Sequence, residues 1–302
     1  MDYPHDALRQ FAEHASRYSI NLNGQVSRGT RASLNGGNAI VHQGTLQPDG
    51  TRVAIKTPRG GPPSDDCTIA RVLKEVHLCS KLRHPNVISV LGITTEFEQT
   101  VSIVSLWMER GDARDYVQNM AIDPRPLILD IAQGLQYLHT RQDGAVFHGD
   151  LKGANVLISD DGRALLADFG LSFLVDSTFS IPHSDNAGWS LYWTAPEILD
   201  GGEKSAAGDI WSFGMTLLEL FTRQKPFHQF NSSKTVMARI LHYKTPDRPS
   251  DEETCSRLTD EWWAICQECW NPEPSSRPTI THVLEVITNI QQQQRLVPTA
   301  MW

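Results

Sequence analysis

The feature that most constrains this chain is the segment His148–Leu157, which reads HGDLKGANVL and is followed, a short way beyond Asn155, by an Asp-Phe-Gly triplet beginning at Asp168. Phosphoryl transfer needs a carboxylate near the attacking hydroxyl, oxygen ligands for Mg²⁺ and fixed positive charge on the phosphates. Asp150 can supply the carboxylate, Asn155 and Asp168 the metal ligands, and Lys152 part of the charge. Asp-Phe-Gly alone is more often a β-turn, but behind this segment it predicts phosphoryl-transfer chemistry.

These residues resemble the catalytic loop and the metal-binding Asp-Phe-Gly of the protein kinase family. Further motifs follow in kinase order. The run Val53–Lys56 reads VAIK and resembles the strand whose lysine holds the ATP phosphates, and Glu75, inside the helix predicted next, matches its ion-pair partner. Glu197, in an Ala-Pro-Glu triplet, matches the residue that closes the activation segment, and Arg277 matches its distant partner. The run Asp209–Gly214 resembles the helix whose Asp supports the catalytic-loop backbone.

The resemblance implies a complete set of site residues, with ATP and Mg²⁺ as cofactors. The catalytic set is Asp150, Lys152, Asn155, Lys56 and Glu75. The ATP-binding set is Leu34, Gly36, Val41, Ala54, Lys56, Ser105, Leu106, Met108, Leu157 and Asp168, in which Ser105 matches the gatekeeper and Leu106 to Met108 the hinge. The metal ligands are Asn155 and Asp168.

Two positions depart from the kinase pattern. The glycine-rich loop aligns with Leu34–Val41 (LNGGNAIV), so only Gly36 is kept, and a leucine at the first glycine position restricts the backbone. Gly149 stands where many kinases carry an arginine that pairs with a phosphate on the activation loop, so basal activity is predicted not to require that phosphate. Both departures support an alternative, a pseudokinase acting as a binding or scaffold module. The intact catalytic set opposes that alternative.

The predicted substrate is a protein with a Ser/Thr acceptor. Lys152, two positions after Asp150, resembles serine/threonine kinases, and so does Ser190, which matches the position where those kinases keep a hydroxyl that hydrogen-bonds the catalytic Asp and Lys. By contrast, Trp193 and the ending around Arg277 resemble tyrosine kinases. The tyrosine-kinase-like group of serine/threonine kinases shows this mixture, and the loop is similar to members from mushroom-forming fungi. The expected function is therefore transfer of the ATP γ-phosphate to Ser/Thr hydroxyls. A small-molecule kinase of similar fold is disfavoured by the complete Ala-Pro-Glu segment.

The order of elements, strands first and helices after, predicts an α+β fold. The resemblance implies a bilobal kinase domain over about residues 26–290, with a small, mainly β N-lobe containing one helix (about 26–107) and a larger helical C-lobe (about 108–290). Residues 1–25 form an N-terminal extension with helical spacing. Residues 291–302 form a C-terminal tail, in which a run of four glutamines is expected to be a frayed helix end.

Composition limits the partners and the location. The net charge of −8 over 302 residues disfavours binding to nucleic acid or to an anionic membrane. The five cysteines are too scattered for a disulfide framework, and the pair Cys266 and Cys269 is weak evidence for zinc without a second pair. The first residues lack a signal-peptide pattern, and the apolar runs are too short to span a membrane, so a cytoplasmic protein is expected. The sequence predicts no oligomeric state.

Overall fold

The structure, a computed structural model, describes residues 9–10, 12–13, 15–17, 20–29, 34–35, 39–58, 76–77, 79–98, 101–168 and 190–296. These residues form two compact units that divide between Met108 and Glu109. The first unit is mainly β and the second mainly helical, which confirms the predicted α+β fold class.

The first unit is built on one antiparallel sheet. Among the described residues its strands are β1 (Val26–Arg28), β2 (Leu34–Asn35), β3 (Ala39–Leu46), β4 (Thr51–Pro58), β5 (Val90–Thr94) and β6 (Ser102–Leu106). The order is β1-β3-β4-β6-β5, and β2 pairs with β3. A turn at Asp49 and Gly50 joins β3 to β4. Because strand side chains alternate between faces, Val53 and Ile55 of β4 are fully buried in the core of this unit.

The chain before β1 is joined to this sheet. The described residues between Arg9 and Arg17 are helical, as their apolar spacing predicts, and Ala15 is fully buried. Beyond them, the Leu22 amide donates to the Ile93 carbonyl at 2.8 Å, and the Ile93 amide donates to the Ile20 carbonyl at 2.8 Å. These bonds place residues 20–22 beside β5.

The second unit is built from helices. Its described helices are α1 (Ala113–Tyr116), α2 (Arg125–His139), α3 (Pro196–Leu199), α4 (Ala206–Thr222), α5 (Ser233–Leu241), α6 (Asp260–Cys269) and α7 (Ile280–Leu296). Helix α4 is the centre of the packing, since every residue from Gly208 to its end at Thr222 is buried. The Ser205 side chain caps its first turn by accepting from the Gly208 amide, which satisfies one of the free donors there.

A two-stranded hairpin follows the predicted catalytic loop. Strands β7 (Val156–Ile158) and β8 (Ala164–Leu166) pair around a turn at Asp160 to Gly162. At the other end of the unit, the glutamine run that was expected to be a frayed helix end is helical. Helix α7 continues through this run to Leu296, since glutamine is a good helix former. Among the residues described here, none of the helices is long and apolar enough to cross a membrane.

Candidate active site

The site in the second unit is centred on the carboxylate of Asp150. Asn155 ends a 3₁₀ turn (Gly153–Asn155), and its side-chain Nδ2 donates both to the Asp150 carbonyl at 2.7 Å and to Asp150 Oδ2 at 2.8 Å. The Asn155 side-chain amide therefore joins the two ends of the segment from Asp150 to Asn155. It also fixes the Asp150 side chain with respect to its own backbone.

Lys152 adds a cation to the same oxygen. Its ammonium Nζ lies 2.8 Å from Asp150 Oδ2 and 2.7 Å from Ser190 Oγ. Burial alone would raise the pKa of the Asp150 carboxyl, but the charge of Lys152 and the hydrogen bonds from Lys152 and Ser190 hold that pKa below its usual value. Asp150 is therefore ionised at neutral pH and is available to accept a hydrogen bond from a hydroxyl.

Asp209, near the start of α4, supports the backbone of this loop. Its Oδ2 accepts from the His148 amide at 2.7 Å and its Oδ1 from the Gly149 amide at 2.8 Å. The His139 ring Nε2 lies 2.8 Å from the same carboxylate, and both side chains are buried. The predicted role of Asp209 is thus confirmed, whereas no sequence signal indicated His139. His148 itself is fully buried, and burial lowers its pKa although three nearby carboxylates oppose that shift.

Gly149 has a backbone conformation that favours glycine, and the end of the Lys204 side chain lies beside it. Its φ of +72° lies in the left-handed region that favours glycine. A Cβ added there would lie 2.8 Å from Lys204 Cε and 3.0 Å from Lys204 Nζ. A cation therefore lies beside Gly149 although residue 149 supplies none. Sequence reasoning missed Lys204 because it lies far from Gly149 along the chain.

Glu219, in the second half of α4, is another carboxylate beneath the loop. Its Oε2 accepts from the Gly153 amide at 2.7 Å and from the indole Nε1 of Trp193 at 2.9 Å. Burial raises the pKa of Glu219 to about 7, against the opposing effect of these hydrogen bonds and of Arg114. Sequence reasoning missed this residue. The available signal was that Asp209 and Glu219 are the only charged residues in an otherwise uncharged run from 209 to 222.

The predicted metal ligands lie on either side of the hairpin. Asn155 precedes β7 and Asp168 follows β8, and the Ala167 amide donates to the Asn155 carbonyl at 2.9 Å. The Asp168 backbone is left-handed, with φ of 61°, which is uncommon for a residue other than glycine. Both side chains carry an oxygen donor, the ligand type that Mg²⁺ prefers. Because Asn155 uses its amide nitrogen on Asp150, its amide oxygen is left for another partner, and the donor set fits Mg²⁺.

Four of the predicted ATP-binding residues of the first unit share one face of its sheet. Strand register pairs Lys56 with Val41 on β3 and Ala54 with Ser105 on β6. Lys56 and Ala54 alternate with the buried Val53 and Ile55, so this set lies on the face opposite the core.

For the remaining predicted ATP-binding residues, the structure gives the strand pairing or the position along the chain. Leu34 pairs through its backbone with Val41, Leu106 pairs with Val53, and Met108 follows β6. Leu157 lies on β7 in the second unit and pairs with Leu165. Gly36 and Glu75 lie outside the described residues, and so do the activation-segment hydroxyls between 172 and 184.

Comparison with known proteins places this architecture and site in a class. A family profile described as protein tyrosine and serine/threonine kinase matches residues 24–287. The match covers most of the chain, including both units and every motif discussed above. The chain therefore belongs to the protein tyrosine and serine/threonine kinase family.

Individual relatives include enzymes of both specificities. The chain is 31% identical to a probable serine/threonine-protein kinase of Dictyostelium discoideum, over 73% of this chain and 43% of that protein. It is 29% identical to serine/threonine-protein kinase 12 of Arabidopsis thaliana, over 80% of this chain and 52% of that protein. It is 30% identical to the tyrosine-protein kinase FRK of Homo sapiens, over 76% of this chain and 44% of that protein. The chain thus spans about half the length of these curated relatives.

Proposed function

We propose that this protein is an active, ATP-dependent protein kinase that phosphorylates Ser/Thr hydroxyls of protein substrates. The observation that carries the proposal is the placement of the Lys152 ammonium, which bonds to both Asp150 Oδ2 at 2.8 Å and Ser190 Oγ at 2.7 Å. A scaffold module has no need of an ionised carboxylate and a cation held together beside a hydroxyl. In a phosphotransferase the same pair serves the acceptor and the transferred phosphate.

The chain's own residues have distinct parts in this reaction. The Asp150 carboxylate orients the acceptor hydroxyl and takes its proton as the new phosphorus–oxygen bond forms. Lys152 and Lys56 stabilise phosphate charge, and Asn155 and Asp168 would hold Mg²⁺. The metal supplies charge neutralisation on the phosphates when it is bound, and ATP supplies the phosphoryl group and leaves as ADP.

A two-stage experiment tests the proposal against the pseudokinase alternative. The first stage is a thermal-shift titration with ATP and Mg²⁺, and the second measures phosphate transfer to matched peptides whose acceptor is Ser, Thr or Tyr. We expect transfer to Ser or Thr that is lost in Lys56→Met and in Asp168→Asn, while both variants remain folded. ATP binding without transfer to any peptide would favour the scaffold alternative. Transfer to Tyr alone would overturn the Ser/Thr assignment.

A further inference from the structure

Two separate connections join the catalytic loop to the turn Ser190–Trp193. The first is in the site, where Lys152 Nζ donates to Ser190 Oγ at 2.7 Å. The second lies beneath it, where Glu219 accepts from the Gly153 amide and from the Trp193 indole through the same oxygen, Oε2. Lys152 and Gly153 are neighbours in sequence, and Ser190 and Trp193 are the two ends of one short turn. The Lys152–Ser190 bond and the contacts of Glu219 therefore join the same two segments.

The connection through Glu219 depends on close packing. Glu219 is only 3% exposed and Trp193 only 7% exposed. A Cβ added at Gly153 would lie 3.0 Å from the Glu219 carboxyl carbon, so the carboxylate reaches the loop backbone because residue 153 has no side chain. The Trp193 carbonyl also accepts from Ser212 Oγ at 2.8 Å, which holds the turn to α4 at a second point. The carboxylate thus bridges two segments that are distant from each other in the sequence.

We propose that Glu219 is a positioning residue for phosphoryl transfer, because its carboxylate holds Gly153 and Trp193 and so sets the contact of Lys152 with Ser190 beside Asp150. This inference rests on the proposed kinase function. Glu219 itself does not touch the reacting atoms. Loss of the bridge lets the turn shift relative to the loop, and a shift of about 1 Å at a reacting group lowers the rate by up to about a hundredfold.

The charges around Glu219 determine when the bridge is strongest. Arg114 in α1 favours the ionised carboxylate, and Asp112, which caps that helix, opposes it. The catalytic loop contributes Lys152, whose ammonium is bonded to Asp150 and Ser190. The Arg223 guanidinium, at the end of α4, donates to the carbonyls of Val117 and Phe221 instead. An ionised carboxylate accepts stronger hydrogen bonds than a protonated one, so the bridge weakens as Glu219 takes up a proton.

The experiment compares variants that change this bridge with matched variants that do not. Trp193→Phe removes the indole donor but keeps a ring, and Trp263→Phe on α6 is its control. Glu219→Gln keeps an acceptor oxygen without charge, and Glu268→Gln, at an exposed position on α6, is its control. For each protein, kcat and the KM values for ATP and for a Ser peptide are measured between about pH 6 and pH 8.5.

We expect Trp193→Phe to lower kcat by about tenfold or more, with the KM for ATP unchanged. Wild-type kcat should fall as the pH drops through about 7, whereas Glu219→Gln, whose acceptor oxygen is uncharged at every pH, should keep the reduced kcat of the low-pH wild type throughout and show no such fall. In the wild type the Trp193 indole N–H resonance should also titrate near pH 7, and in Glu219→Gln it should not. Active wild-type protein with Trp193→Phe kinetics equal to those of Trp263→Phe overturns this inference alone. Wild-type protein without transfer activity, although its indole titrates, overturns the proposed function and the positioning role with it.

Discussion

Glu197 and Arg277 form a two-point ion pair. Arg277 Nη1 lies 2.6 Å from Glu197 Oε1, and Arg277 Nη2 lies 2.8 Å from Oε2. The guanidinium is completely buried, donates also to the carbonyls of Ala207 and Asn271, and lies over the Trp211 ring at 5.1 Å. The predicted pairing across 80 residues is confirmed. It joins the end of the activation segment to the helices that follow it.

This pair gives the first prediction, on stability. Arg277→Ala should lower the free energy of unfolding by about 3–5 kcal/mol, because it leaves the Glu197 carboxylate uncompensated beside a buried site. Arg248→Ala is a matched control, since Arg248 forms an equally short but exposed pair with Asp260 at 2.6 Å and should cost no more than about 1 kcal/mol. Urea denaturation of both variants measures the difference. Equal losses in the two variants would contradict the structural role assigned to Arg277.

The second prediction concerns the catalytic carboxylate. Asp150→Asn should lower the rate of phosphate transfer by about 10²–10⁴-fold, because the amide cannot take the proton of the acceptor hydroxyl. Binding of ATP should be nearly unchanged, since Asp150 acts on the acceptor. The control is Asp161→Asn, at an exposed turn outside the site. A large loss of ATP affinity in Asp150→Asn, measured by thermal shift or calorimetry, would show that this carboxylate has a different role.

The third prediction concerns the activation segment. Phosphatase-treated protein should keep most of its activity toward a Ser/Thr peptide, because Gly149 has no side chain to bind a phosphate on that segment. A modification without a differential contact cannot shift the balance between conformations. The cation that does lie beside Gly149 is Lys204. A tenfold or larger loss of activity on dephosphorylation would contradict the prediction, and the same loss in phosphorylated Lys204→Ala would identify Lys204 as the phosphate ligand.

The fourth prediction is a dependence of stability on pH. Burial raises the pKa of Glu219 from 4.5 to about 7, so the folded protein binds this proton more tightly than the unfolded chain. The resulting stabilisation is complete below about pH 4.5 and is lost as the pH rises through about 7. Relative to Glu219→Gln, wild-type stability should therefore fall by about 3 kcal/mol over this range. Urea unfolding of both proteins at several pH values, with Glu268→Gln as the control, measures it. A constant difference would contradict the assignment.

The residues that could be predicted from sequence are those whose chemistry and spacing are both specific. Asp209 and the partners Glu197 and Arg277 fall in this group, since short motifs mark each of them and the structure confirms their contacts. The bond between Lys152 and Ser190 was also expected, from the resemblance to serine/threonine kinases, and the structure confirms it at 2.7 Å. The catalytic roles of these residues remain proposals, which the experiments above test.

The residues that sequence reasoning missed act through tertiary contacts. Lys204 and His139 come from other parts of the chain, and no local pattern indicates that they reach Gly149 or Asp209. Glu219 sits in an apolar helix, where a buried carboxylate implies a specific partner, yet the sequence does not identify Gly153 and Trp193 as its partners. The glutamine run, expected to be a frayed helix end, is instead part of α7, because glutamine is a good helix former in spite of its polarity.

The support of the catalytic loop by α4 has a consequence for hydrogen exchange. The amides of His148, Gly149 and Gly153 donate to carboxylates of α4 rather than to water or to a strand. An amide exchanges its hydrogen only when its hydrogen bond opens, and these bonds end on a helix that is buried along most of its length. The three amides should therefore exchange as slowly as the core of the second unit. Although the loop has little regular secondary structure, it opens together with α4, as part of the same cooperative unit.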